Sequence, residues 1–262
     1  MKPKNLQEHI TASYTTLRIG MAALAITLPF LLWIVGHIRA DLPLQGSMSA
    51  YYHAGGGAVR DVFVGSLFAI GVFLMLYKGF TDFENWALNL AGGFLLVVAV
   101  VPMAWGCGDT CPRFSWHGTA AVIFFLSIAY VCIVRSSDTL GLMSDQARAD
   151  YYRKAYKMMG WAMIASPAIA FALKLFLQPD PGKGSVIFFI EAVGVVVFGS
   201  YWLLKSFEIR ETHAERDAVG GHLKISDYGI GDAFNAISIE RVEHAKGPKH
   251  DDPSGSTHSD HE

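Results

Sequence analysis

The sequence is short of charge. Only 17% of its 262 residues are Asp, Glu, Lys or Arg, where a soluble domain carries about a quarter. A large soluble core would need far more charged surface than the middle of this chain offers, so that class is excluded. No basic stripe is present, which argues against nucleic acid as a partner. A net charge of −2 identifies no partner of its own. No repeat of fixed period is visible, and no small-x-small cleavage site follows the first apolar run. That run therefore reads as an uncleaved signal anchor.

What the chain has instead is apolar sequence, 52% of its residues with a mean hydropathy of +0.32. It comes in runs, and about twenty apolar residues span a bilayer core. Six such runs occur at roughly Leu17–Gly36, Asp61–Phe80, Trp86–Trp105, His117–Val134, Met158–Leu177 and Ser185–Leu204. They predict an all-α, polytopic membrane protein: a six-helix transmembrane bundle with a short amphipathic inner helix and a flexible tail. The expected organisation is an N-terminal segment 1–16, a membrane domain 17–207 and a tail 208–262, disordered from about 246. Lys and Arg favour the connections on the N-terminal side by roughly two to one. By the positive-inside rule both termini are expected in the cytoplasm, with the protein integral to the cell (inner) membrane.

Two connections carry more chemistry than a turn needs. The first, "SMSAYYHAGGGAVRD", holds Ser47, Ser49, Tyr51, Tyr52, His53, Arg60 and Asp61. Its three glycines permit backbone that other residues avoid, and the tyrosines are expected as anchors at headgroup level. The second contains "GCGDTCP", with Cys107 and Cys111 four apart, a candidate disulfide on the outer side. The spacing is not in itself a zinc signature. Arg113 follows, and His117 opens the fourth helix. Cys132 reads as a small packing residue.

Glu191 is the informative residue. It lies roughly 10 Å below the interface within the apolar "SVIFFIEAVGVVVFG". An ionisable group there faces the bundle interior or a cavity and is protonated or paired. Its expected partners are His53, His117 and Arg60. The first loop then reads as a lid over an outer-leaflet pocket floored by Glu191 and lined by Ser47, Tyr51, Tyr52, Arg60 and Arg113.

Several readings of that pocket stand side by side. His53, His117, Asp61 and Glu191 are candidate ligands of a divalent metal such as zinc, which would activate water for hydrolysis of a lipid. Ser49 is a candidate nucleophile with His53 as its base. Alternatively these groups pair with one another, with Arg60 on Asp61 or Glu191, in a structural or headgroup-binding network. A transporter is less favoured. Pro102 and Pro167 can kink helices, but no paired inverted repeat contains them. The inner halves of the spans hold few ionisable groups, Asn85 and Asn89 being the only hint there. Inside, "SDQARADYYRKAY" is expected to lie on the membrane surface or to extend the fifth helix, with Ser144 as its candidate cap. The tail histidines His244, His250, His258 and His261 are candidate loose metal ligands.

The segment "GSMSAYYHAGGGAVRDVFVGSLFAIGVFLMLYKGF" resembles a family of bacterial six-pass membrane proteins of unknown function. It is more distantly similar to the DRAM/FRAG/Sfk group. "SMSAYYH" with Asp61, "WHGTAAVIFF" with His117, and "FIEAVGVVVFG" with Glu191 occupy the places of that group's motifs, over roughly residues 15–207. The resemblance implies a lipid-related role, with membrane lipids as partners. Ser49 and His53 also resemble the Ser-x-x-x-His pair of the ceramidase and progestin-receptor superfamily of membrane hydrolases. Here six spans stand where that superfamily has seven, and the last helix has no His-x-x-x-His. The leading expectation is lipid recognition by an outer-leaflet polar pocket. The alternative is a metal-dependent lipid hydrolase.

Overall fold

The computed structural model describes residues 6–107, 110, 114–177, 185–226 and 229–242. It is mostly helical. Six long helices follow one another: α1 (Leu6–Ala40), α2 (Gly57–Leu76), α3 (Asp82–Val100), α4 (Trp116–Ile133), α5 (Gln146–Leu177) and α6 (Val186–Thr212). A short α7 (Ala214–Val219) and a hairpin of β1 (Leu223–Ile225) and β2 (Ile239–Arg241) complete the described chain. The hairpin corrects the all-α expectation in a small way.

Five of the long helices, all but α5, are long and apolar enough to cross a membrane among the described residues. Their outward faces are apolar too, with Phe30, Trp33, Ile38, Phe68, Trp86, Leu126 and Phe189 exposed. α5 has 32 residues but opens on the charged "QARADYYRKAYK". That stretch is continuous with the apolar half of the helix, so it extends α5 rather than forming a separate surface helix. Its cap is Asp145, whose Oδ1 accepts from the amides of Ala147 and Arg148 at 3.0 and 3.2 Å. Ser144 was the expected cap, but Asp145 stands at the position from which a side-chain oxygen reaches N2 and N3. Likewise the polar start of the chain, from Leu6, is part of α1. At 1.5 Å per residue this 35-residue helix runs about 50 Å.

Each long helix packs on its chain neighbours, and α6 returns to α1. Small residues let the backbones approach. Gly71 and Gly92 face each other across α2 and α3, where a Cβ on Gly92 would lie 2.6 Å from the Gly71 carbonyl. Gly194 of α6 meets Ser166 of α5 in the same way, at 2.5 Å from Oγ.

α3 stops where Pro102 stands two residues beyond its last residue, Val100. Proline cannot donate a backbone bond and holds the residue before it extended, and Val101 sits at φ −94°, ψ 111°. Pro102 therefore ends a helix rather than kinking one. Pro167, in contrast, lies inside α5.

The expectation of a flexible tail from residue 208 is corrected as far as 242. α6 continues to Thr212, His213 turns the chain at φ 56°, and α7 and the hairpin fold back. β2 and the 3₁₀ segment Arg135–Leu142 pack together, and α7 packs on α1. Residues beyond 242, with all four tail histidines, lie outside the described residues.

Candidate functional site

At one end of the molecule the first loop leaves α1 through Asp41, at φ 50°. It makes a 3₁₀ turn over Ser49–Tyr52 and enters α2 through Gly55 and Gly56, at φ 82° and 73°. These two positions need glycine. Tyr51 does not anchor the loop at a surface. It is fully buried against Gly36, and its hydroxyl accepts from the Gln45 amide at 3.4 Å. Burial pushes its phenol above the usual range. Tyr52 is half-buried, with the Arg60 guanidinium 5.9 Å from its ring centre.

Two bonds fasten the loop to α6. The Gly46 carbonyl accepts from the Phe188 amide at 3.0 Å. The Glu191 carboxylate accepts from the Met48 amide at 2.6 Å. A backbone amide is thus one partner of Glu191, where sequence reasoning looked only to histidine and guanidinium.

The two histidines have separate places. His117 Nδ1 is 2.7 Å from the Val101 carbonyl and Nε2 is 2.9 Å from Ser49 Oγ. A carbonyl only accepts, so Nδ1 carries the proton and, in the neutral ring, Nε2 accepts from the Ser49 hydroxyl. His53 instead directs Nε2 at the Met103 carbonyl, 2.9 Å away, and stacks on Trp105 at 5.3 Å. Ser49 is therefore paired with His117 and not with His53. Both carbonyls become available because Pro102 stops α3 between them. Ser47 Oγ accepts from the Ala50 amide at 3.1 Å, closing the turn, and lies 3.8 Å from Met103 Sδ.

Beneath this turn a cavity of about 630 Å³ opens among α2, α3, α4, α5, α6 and the loop. Its walls are mostly apolar, with Leu95, Val98, Phe124, Phe125, Pro167, Ala170 and Phe171 among them. The polar residues include Ser47, Ser49, His117, Ser166 and Glu191. Ser166 donates to the Ile190 carbonyl at 2.8 Å, so it braces α5 against α6.

Of the four candidate metal ligands, only His117 and Glu191 line this cavity. Asp61 is exposed near the start of α2, beside the exposed Arg60, and His53 faces Met103. Among the described residues no three His, Cys, Asp or Glu side chains come together as a metal site. Cys107 is disulfide-bonded, and Cys132 is free and buried in α4. Cys111 and Arg113 lie outside the described residues.

At the opposite end ionisable groups gather at and just beyond the ends of the apolar runs. Arg18, Glu84, Arg135, Asp138, Lys205, Glu208 and Glu215 are all buried. Arg18 pairs with Glu215, and its Nε donates to Ser206 Oγ at 3.2 Å. Lys205 Nζ donates to Glu208 at 2.6 Å and to Thr139 Oγ1 at 2.7 Å. Glu208 also accepts from Thr139 at 2.8 Å and from the Tyr156 hydroxyl at 3.3 Å. Arg135 donates to the Asn235 and Asp232 carbonyls, and Asp138 accepts from the Ile237 amide at 2.8 Å. Asn85 serves locally, accepting from the Gly79 amide at 2.7 Å. These charges sit near the ends of separate spans in sequence. Their one legible signal is the i, i+3 spacing of Arg135 with Asp138 and of Lys205 with Glu208.

Fold and site define a class: a mostly helical chain with five helices suited to crossing a membrane, and an apolar cavity with polar groups gathered under one loop. No protein-family model, curated protein or solved structure matches this chain.

Proposed function

We propose that this is a six-helix transmembrane bundle of the cell membrane, with both termini cytoplasmic, that binds a lipid-like amphiphile in the cavity beneath its first loop. The observation that carries the reading is the cavity itself. About 630 Å³ of mostly apolar space lies under a turn bearing Ser47 and Ser49, with His117 and Glu191 on its walls. That size and polarity suit one acyl chain with its head at the polar groups. α5 serves as the sixth span: it packs between α4 and α6 and turns its apolar half to the cavity through Pro167, Ala170 and Phe171. The lysine and arginine bias supports the orientation, and the resemblance to lipid-related membrane families agrees with the ligand class.

The test is titration of the purified protein with a fluorescent C16 fatty acid. Saturable binding is expected. Ala170→Trp, which fills the cavity from α5, is expected to weaken it at least tenfold while the protein stays monodisperse. Binding that is absent in the parent protein, or unchanged in Ala170→Trp, would sink the reading.

A further inference from the structure

We infer that Ser49 is an acyl-accepting nucleophile with His117 as its general base, so that the cavity takes a long-chain acyl ester as a substrate and not merely as a ligand. This rests on the cavity being an acyl-chain site. Three observations carry it further.

The first is the direction of the Ser49 hydroxyl. The Val101 carbonyl holds the proton of His117 on Nδ1, so the lone pair of Nε2 faces Ser49 Oγ at 2.9 Å. Nucleophile, base and orienting acceptor thus stand in a row, within the reach that proton transfer requires. A neutral carbonyl occupies the place where a carboxylate would otherwise orient the ring.

The second is the setting. Ser49 and His117 both line the cavity, so an ester whose chain lies among its apolar walls can bring its carbonyl to Oγ. His117 belongs to the first turn of α4, whose N-terminal end favours the negative charge that develops on the carbonyl oxygen.

The third is rigidity. The residues on either side of Ser49 are tied down, Met48 through its amide to Glu191 at 2.6 Å and Ala50 through its amide to Ser47 Oγ at 3.1 Å. A nucleophile held between two fixed neighbours keeps its aim.

The reaction balances without any further reagent than water. Oγ bonds to the ester carbonyl carbon as its proton passes to His117 Nε2. The alcohol–acyl bond breaks, and the departing alkoxide takes that proton. Water then gives a proton to Nε2 and its hydroxide adds to the acyl carbon. The Ser49 ester bond breaks, Oγ recovers the proton, and the fatty acid leaves.

The experiment treats the full chain in lipid nanodiscs with a long-alkyl fluorophosphonate, reads the intact mass, and maps the adduct. One adduct on Ser49 is expected. Ser49→Ala is expected to take none while the protein stays monodisperse. His117→Gln, whose amide can keep the bond to the Val101 carbonyl, should label about 100-fold more slowly or worse, and His53→Ala at an unchanged rate. A parent protein that binds the fatty acid but takes no phosphonate overturns this inference and leaves the binding reading intact. So does an adduct on another serine, or His117→Gln labelling at the parent rate. Failure of fatty-acid binding itself counts against the cavity reading instead.

Discussion

The two ends of this molecule handle polar groups in opposite ways. At the first-loop end, two ionisable side chains line an open cavity among the described residues, and each bonds to backbone or to a hydroxyl: Glu191 to the Met48 amide, His117 to the Val101 carbonyl and Ser49. At the tail end, seven buried charges engage one another, nearby hydroxyls and the backbone of the returning chain. Charges packed against partners of opposite sign hold elements together and leave no room for a ligand. Polar groups held by backbone around an apolar space leave that space available. On the proposed reading, the contrast separates a ligand site at one end from structural fastening at the other.

The contrast is open to attack, most severely at the tail. Truncation after Thr212 removes Glu215 from Arg18, two carbonyls from Arg135 and the Ile237 amide from Asp138. Loss of the monodisperse peak in size-exclusion chromatography is expected. Survival with unchanged thermal stability would mean the tail fastens nothing.

Glu208→Leu is the next largest. It strands Lys205, which is 1% exposed, and removing one member of a buried pair costs about 3–5 kcal/mol. A steep fall in the thermal midpoint is expected, with most of it recovered in Lys205→Met, Glu208→Leu together. No recovery in the double variant would show that the pair is not the relevant unit.

The smallest effect lies at the other end. Glu191→Leu takes the acceptor from the Met48 amide and should cost about 1–3 kcal/mol. Glu191→Gln keeps an acceptor oxygen and should cost less. Hydrogen exchange at the Met48 amide reads the difference directly, and equal protection in both variants would remove Glu191 from the fastening of the loop.

Much of the helical framework was legible beforehand. The apolar runs located every long helix, because a run of about twenty apolar residues has few other solutions; α2, α3 and α4 match to within five residues, while α1 and α5 begin eleven and twelve residues earlier and α6 ends eight residues later. The glycines of the first loop were legible as positions of special backbone, and two of them have positive φ. Pairing was not legible. Ser49 and His53 share a helical spacing in sequence, but the segment is a tight 3₁₀ turn, and the hydroxyl meets a ring 68 residues away. Glu191 was rightly sought as a carboxylate with a partner, but it is half-buried, and its described partner is the backbone amide of a loop where only side chains had been considered. The tail-end lysines and arginines were counted only for orientation, since nothing local reveals that the spans bring them to one place.

Composition and run length alone determined that the chain is helical and apolar enough to cross a membrane several times, because the hydrophobic length of a span is a local property. Which polar groups meet was decided only by the packing of α6 back on α1 and by the folding of the loop and the tail onto the helix ends. A hydrogen bond depends on ångström-scale placement between residues far apart in the chain, and such distances exist only once the helices have chosen their neighbours.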